Sequence, residues 1–234
     1  MLQNSDILAF EDSDWRKEMF NYFSNDMTSK SPAFPCVFGA TGFIKNQLRY
    51  VFMNDAEEES IMQLSESMHN YLKVGRDLGP YTSFIAFINI DSSQDINEYE
   101  HLFWKVLNRL HALDPEQWPD HIPDNPNDPK WEFSFAGEPI FVVCNTPAHQ
   151  LRNSRRSKTF MLTFQPRWVF EGVTEQQIMY VRNLLKSYDQ ISPFPLLGTY
   201  GDTANRSWMQ YFIPDTNEPI TLGCPFHQKS LSLN

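Results

Sequence analysis

One histidine follows a strand-like apolar run and a turn. Ile140 to Cys144 is the run, and Thr146-Pro147-Ala148-His149 follows almost at once. Because proline restricts the backbone of the turn, His149 would be held at the end of a rigid element. There an imidazole can coordinate haem iron if the surrounding pocket is large and apolar. A capping or surface histidine would show the same pattern, so the sequence leaves both roles open.

The densest basic cluster comes directly after this histidine. Arg152, Arg155, Arg156 and Lys158 lie close together in a chain whose net charge is −10. Arginine side chains match carboxylates and phosphates in a bidentate geometry. The cluster therefore indicates either a site for a carboxylate or phosphate group, such as a haem propionate, or a solvated loop.

Three further groups could face a ligand. Asp202 lies in the glycine-punctuated segment 198–205, where a carboxylate can meet a cation, although an ordinary turn has the same composition. Cys36 and Cys224 each lie beside proline and close to an aromatic residue. Either cysteine could be a thiolate ligand of a haem that activates oxygen, and either could be a buried structural thiol.

Composition and motifs exclude several classes of protein. The chain has no phosphate loop, dinucleotide-binding glycine fingerprint, HExxH or GxSxG motif. A net charge of −10 disfavours a nucleic-acid binder. No apolar run approaches the roughly 18 residues of a membrane helix, and the three cysteines form no disulfide framework. We therefore expect a cytoplasmic protein that binds neither nucleic acid nor membrane.

Helical periodicity predicts the elements that carry the apolar faces. The predicted helices cover 12–25, a segment from 54 to about 75 or 79, 95–113 and 174–188. Asp95 with Glu98, and Thr174 with Gln177, have the spacing of capping boxes. Five prolines between Asp114 and Lys130 predict a long loop.

Strand-forming runs are interspersed among these helices. They predict strands at 34–39, 47–53, 83–90, 159–165 and 208–213, and a hairpin over 131–144. Because there is no regular alternation of strand and helix, we expect an α+β fold. It would be a single domain over residues 1–234, with helices packed on a mixed or antiparallel sheet.

Five segments together resemble the YqcI/YcgG family. They are Phe34 to Gly39, Trp131 to Pro139, Thr146 to His149 with the arginines that follow, Leu197 to Asp202, and Cys224 to Phe226. Family members with an assigned activity are haem-dependent N-oxygenases of guanidino groups, including an arginine N-hydroxylase of the D-cycloserine pathway. The resemblance implies haem b, dioxygen, an external electron donor and a small guanidino substrate such as arginine or guanidine.

The resemblance also implies roles for the candidate haem-binding residues. His149 becomes the leading axial ligand of the haem iron, and Cys36 is the alternative. Arg152 and Arg155 become partners of the haem propionates.

Substrate binding and activity carry further expectations. Asp202 and Glu138 become candidates to bind a guanidinium through a fork of hydrogen bonds. The chain departs from the family at Phe194, where a histidine is expected before Pro195, and at Met209, where lysine is usual. If that histidine were the family's ligand or proton donor, activity here would be altered or absent.

Two other functions remain open at this stage. A non-enzymatic sensor or carrier of haem would share the pocket but would need no guanidinium site. A cofactor-free binding module would use the aromatic residues as core and the histidine as a cap. The sequence is compatible with a homodimer without requiring one.

Overall fold

The sheet has five strands in the order β1-β2-β5-β4-β3. The computed structural model describes residues 1–195, 200–218, 220 and 223–227. The strands are β1 (Arg49–Met53), β2 (Phe84–Ile88), β3 (Ser134–Phe135), β4 (Glu138–Asn145) and β5 (Phe160–Pro166). β1 and β2 are parallel, and the other neighbouring pairs are antiparallel. The predicted α+β fold with a mixed sheet is confirmed.

The described residues form six α-helices. They are α1 (Asn4–Leu8), α2 (Trp15–Thr28), α3 (Val37–Ile44), α4 (Glu58–Leu78), α5 (Ile96–Leu113) and α6 (Glu175–Tyr188). Both predicted capping boxes are present, at the N-termini of α5 and α6. None of these helices is long and apolar enough to cross a membrane.

The strands direct alternate side chains to opposite faces of the sheet. Ala86 of β2, Val142 of β4 and Leu162 of β5 point into the main core, which α4 and α5 complete. On the opposite face, a second cluster that includes Phe20 and Phe23 of α2 covers β1 and β2. The remainder of that opposite face is free to form the floor of a cavity.

Two predicted strands are wrong. Within 34–39, helix α3 begins at Val37, and the Gly39 amide donates a hydrogen bond to the Cys36 sulfur at 3.3 Å. The segment 208–213 begins in a 3-10 turn, Ser207–Gln210, and forms no strand. Short apolar runs are buried in helices and strands alike, so composition could not distinguish them.

The predicted hairpin is confirmed, and its turn explains its sequence. Ala136 and Gly137 join β3 to β4 with φ values of 51° and 75°. Two residues of positive φ make a turn whose twist matches that of the paired strands. The proline-rich segment before the hairpin contains no helix or strand, as predicted.

Candidate functional site

A cavity of about 580 Å³ lies on the sheet face opposite the main core. Its floor is formed by alternate residues of two neighbouring strands. They are Phe141, Val143 and Asn145 of β4, and Met161, Thr163 and Gln165 of β5. Small-molecule and cofactor sites generally have volumes of about 300–1,000 Å³. The alternation that builds the core thus also builds the floor of a site large enough for a cofactor.

Helix α6 forms part of the cavity wall with its apolar face. Ile178, Val181 and Leu185 recur at helical spacing and all line the cavity. No residue of α6 is buried. Amphipathic helices normally bury this face against a protein core. A ligand that filled the cavity would therefore bury apolar surface that the protein itself leaves accessible.

Cys36 is the thiol that faces the cavity. It lines the wall at the N-terminus of α3 and is partly accessible. Burial raises the pKa of the thiol, while the Gly39 amide and the Arg155 guanidinium act in the opposite direction. Cys144 points into the main core, and Cys224 is not among the described lining residues.

Arg155 is a buried cation on the same cavity wall. It donates hydrogen bonds to the backbone carbonyl groups of Gln210, at 2.9 Å, and Tyr211, at 3.2 Å. It forms no ion pair with a described residue, and burial lowers its pKa to about 10. A buried cation bonded only to neutral groups is poorly compensated. A ligand carboxylate in the cavity would add to the negative charge that Asp189 of the same lining supplies.

Arg152 also lines the cavity, but most of its donors are used within the chain. Its guanidinium donates to the carbonyl groups of Ser192, Pro214 and Thr216, and to Oδ1 of Asn217. These bonds attach two distant segments to the loop after β4. The Arg155 guanidinium has only two described acceptors, so of the two predicted propionate partners it has more donors left for a ligand.

His149 is fully buried, and both ring nitrogens are engaged. Nε2 donates to the Ile213 carbonyl at 2.9 Å, since a carbonyl can only accept, and Nδ1 therefore accepts from the Thr146 hydroxyl at 2.8 Å. Burial lowers the imidazole pKa to about 4. His149 is absent from the described cavity lining. Coordination of iron would require one of these two bonds to break.

The two predicted guanidinium-binding carboxylates do not meet at the cavity. Asp202 is exposed and accepts a hydrogen bond from the Ala204 amide at 3.0 Å. Glu138 forms an ion pair with Arg76 at 3.3 Å, at the edge hairpin. Neither belongs to the described lining.

Two other carboxylates line the cavity instead, and the sequence analysis missed both. Asp189 accepts hydrogen bonds from the Ser154 amide, at 2.7 Å, and from its hydroxyl, at 2.8 Å. The Glu171 carboxylate accepts none from a described residue. Glu171 is therefore the cavity carboxylate that is available to a cation.

One sequence signal could have revealed the cavity. Asn145, Thr163 and Gln165 are polar residues at alternate positions of otherwise apolar strands. Buried polar side chains need partners, so a row of them on one sheet face indicates a surface that is not packed core.

Metal binding by side chains alone requires several donors in one place. Among the described residues, no cluster of three or more His, Cys, Asp or Glu side chains could hold a metal ion. Haem differs from such sites because its porphyrin supplies four ligands and the protein can supply as few as one. A single donor side chain beside a large apolar cavity therefore meets the minimum ligand requirement of a haem site.

A model of the YqcI/YcgG family matches residues 23–227. The chain belongs to this family. YqcI of Bacillus subtilis (strain 168), named an uncharacterized protein, is 39% identical over 223 residues, which cover 91% of this YqcI/YcgG chain and 87% of the relative. YcgG of the same organism, also named as uncharacterized, is 38% identical over 226 residues, with coverages of 91% and 88%.

Another relative of this YqcI/YcgG protein is named for an activity. It is the "Putative N(omega)-hydroxy-L-arginine synthase DcsA" of Streptomyces lavendulae, 29% identical over 242 residues that cover 96% of this chain and 90% of the relative. No solved structure matches the chain.

Replacement of His149 by alanine tests its structural role. We expect the free energy of unfolding to fall by about 2–4 kcal/mol near neutral pH, because two buried hydrogen bonds and a packed ring are lost. The folded-state pKa of about 4 lies below the ordinary value of 6.5, so the stabilisation should diminish as the pH falls through this interval. Denaturant titrations at several pH values measure both effects.

The matched control is His101→Ala, since His101 is exposed on α5. This variant should remain within about 0.5 kcal/mol of the wild type. A His149→Ala protein with wild-type stability at every pH would contradict the structural role.

Proposed function

We propose that this protein is a haem-dependent oxygenase that N-hydroxylates a small guanidino compound. The observation that carries the proposal is a single thiol, Cys36, on the wall of an apolar cavity of about 580 Å³. The name of the Streptomyces lavendulae relative, an N(omega)-hydroxy-L-arginine synthase, supports the reaction type.

Cys36 has surroundings that suit a thiolate ligand. It lies at a helix N-terminus, where the peptide dipole and the Gly39 amide stabilise negative charge on sulfur. Metal coordination would itself deprotonate the thiol. Oxygen-activating haem proteins use cysteine thiolate in this way. We therefore favour Cys36 over His149 as the ligand of the haem iron, whereas the resemblance favoured His149.

The remaining lining suits a flat group that is apolar except at its carboxylates. Aromatic side chains supply much of the apolar wall: Phe34, Phe38, Phe141, Phe170 and Phe194. Arg155 supplies a positive charge for one propionate, because its buried guanidinium has no described carboxylate partner. Burial of the apolar face of α6 would add to the binding free energy.

When bound, haem would supply the activation of dioxygen. With two electrons from an external donor and two protons, one oxygen atom would be inserted into an N–H bond of the guanidino group and the other would leave as water. Cys36 would donate sulfur electron density from the α3 wall. The aromatic wall would exclude bulk water. Phe194, where the family usually has histidine, is buried and lines the cavity, and it offers neither a ligand nor a proton at that position.

Glu171 is the carboxylate that we assign to the guanidino group. It lines the cavity, and no described residue occupies its oxygens, whereas Glu138 and Asp202 lie outside the lining. A carboxylate can accept two parallel hydrogen bonds from a guanidinium.

Spectra of cysteine variants test the cofactor assignment. We expect the purified wild type to bind haem and its ferrous carbonyl complex to show the red-shifted Soret band of thiolate ligation. Cys36→Ala should lose this band, because the sulfur donor is absent, while Cys224→Ala should keep it. A Cys36→Ala protein with the wild-type spectrum would contradict the assignment, and colourless wild-type protein that takes up no haemin would contradict haem binding altogether.

Product analysis tests the reaction and the role of Glu171. With reductant and dioxygen, the haem-loaded protein should convert a guanidino compound to its N-hydroxy product. Glu171→Gln should raise the KM by about tenfold, because a charged hydrogen-bond acceptor is lost. Glu175→Gln is the matched control, since Glu175 is exposed at the start of α6 and outside the lining. Haem binding without any N-hydroxylated product would favour a sensor or carrier.

A further inference from the structure

The segment Trp131-Glu132-Phe133 has no role in the function proposed so far. Glu132 is completely buried, and its carboxylate pairs with the guanidinium of Arg167. Arg167 uses one edge of its fork, Nε to Oε2 and Nη2 to Oε1. Burial of a carboxylate is unfavourable unless it is paired. Burial raises the pKa of Glu132 to about 7, and Arg167 acts in the opposite direction.

Aromatic rings hold the same guanidinium in place. Its central carbon lies 4.2 Å from the ring centroid of Tyr200, 5.3 Å from that of Phe170 and 6.0 Å from that of Phe141. Cations are attracted to aromatic faces within about 6 Å. The Glu132 pair and the rings together fix the orientation of Arg167 before any ligand enters.

The other edge of Arg167 is available to a ligand. Arg167 lines the cavity, and no described residue accepts a hydrogen bond from Nη1. A guanidinium carries five N–H donors in a planar fork, so the edge formed by Nη1 and Nη2 can accommodate a second carboxylate while the first stays bound.

The charges of the cavity favour an anionic group. Arg155 and Arg167 both belong to the described lining, and the Arg155 guanidinium hydrogen-bonds only to backbone carbonyl groups. Asp189 and Glu171 are the carboxylates of the described lining. An anionic group of the ligand would pair with the edge of Arg167 that Glu132 leaves open.

We propose that Arg167 binds a carboxylate group inside the cavity and that Glu132 is its positioning residue. This inference deepens the proposed function and rests on the cavity being the ligand site. The carboxylate can belong to the guanidino substrate or to a haem propionate, which present the same chemistry to the fork.

Ligand pairs that differ only in the carboxylate distinguish these two sources. Arginine and agmatine share the guanidino chain, but agmatine lacks the carboxylate. Haemin and haemin dimethyl ester share the porphyrin, but the ester masks the propionates. Calorimetry of the haem-loaded protein gives the arginine to agmatine affinity ratio, and titration of the haem-free protein gives the haemin to ester ratio.

The double variant removes the fork without leaving a lone buried charge. Glu132→Gln combined with Arg167→Gln makes both members neutral. Glu132→Gln alone keeps the cation but loses its positioning partner. The control is Arg76→Gln combined with Glu138→Gln, because this Arg–Glu pair lies outside the described cavity lining.

We expect the wild type to prefer the carboxylate member of at least one pair by about tenfold. The double variant at 132 and 167 should lose that preference, Glu132→Gln should reduce it, and the control should keep it. A loss in the arginine pair identifies the substrate, and a loss in the haemin pair identifies the propionate. Wild-type protein with no preference or no binding in either pair, or a double variant with unchanged ratios, would overturn the proposal.

Failure of the proposed function is a separate result. The affinity ratios need no turnover, whereas the function fails if haem-loaded protein forms no N-hydroxylated product. Retained selectivity without product would leave Arg167 as the carboxylate-binding residue of a non-catalytic site.

Discussion

The alternation of side chains along β4 and β5 builds both the main core and the floor of the cavity. Val142 and Leu162 point into the main core, while their neighbours Val143 and Thr163 point into the cavity. A strand has a period of two, so a shift of one residue would exchange core and cavity faces. The six-residue ladder between β4 and β5 fixes this register. The same strand register is therefore required both for a stable core and for the ligand site.

A second set of interactions attaches the C-terminal part of the chain to the end of β4. Asp215 accepts hydrogen bonds from the amides of Leu151 and Arg152, each at 2.9 Å, and His149 bonds to the carbonyl of Ile213. These bonds satisfy the polar groups of the loop internally. The loop thereby carries Arg155 to the cavity wall. His149 and the loop that follows it, which the sequence suggested as ligand-binding groups, therefore serve largely to hold the cavity wall in place.

Local signals predicted the elements well, and tertiary contacts explain the failures. The capping residues Asp95 and Thr174 correctly marked the starts of α5 and α6 because their chemistry is local. Helix α3 was missed because its apolar run also suits a strand. It depends on Gly42, where a Cβ would lie 2.1 Å from the Tyr81 carbonyl oxygen, a contact distant in sequence. Sequence supplied Cys36 as a candidate, but its place on the cavity wall depends on that packing.

The proposed function requires that the cavity hold an iron-containing group bonded to the Cys36 sulfur. The most direct measurement is an anomalous difference map, recorded at the iron absorption edge from crystals of the haem-loaded protein. We expect one iron peak inside the cavity, within coordination distance of Cys36 Sγ, with both hydrogen bonds of His149 intact. An iron peak bonded to His149, or one outside the cavity, would contradict it.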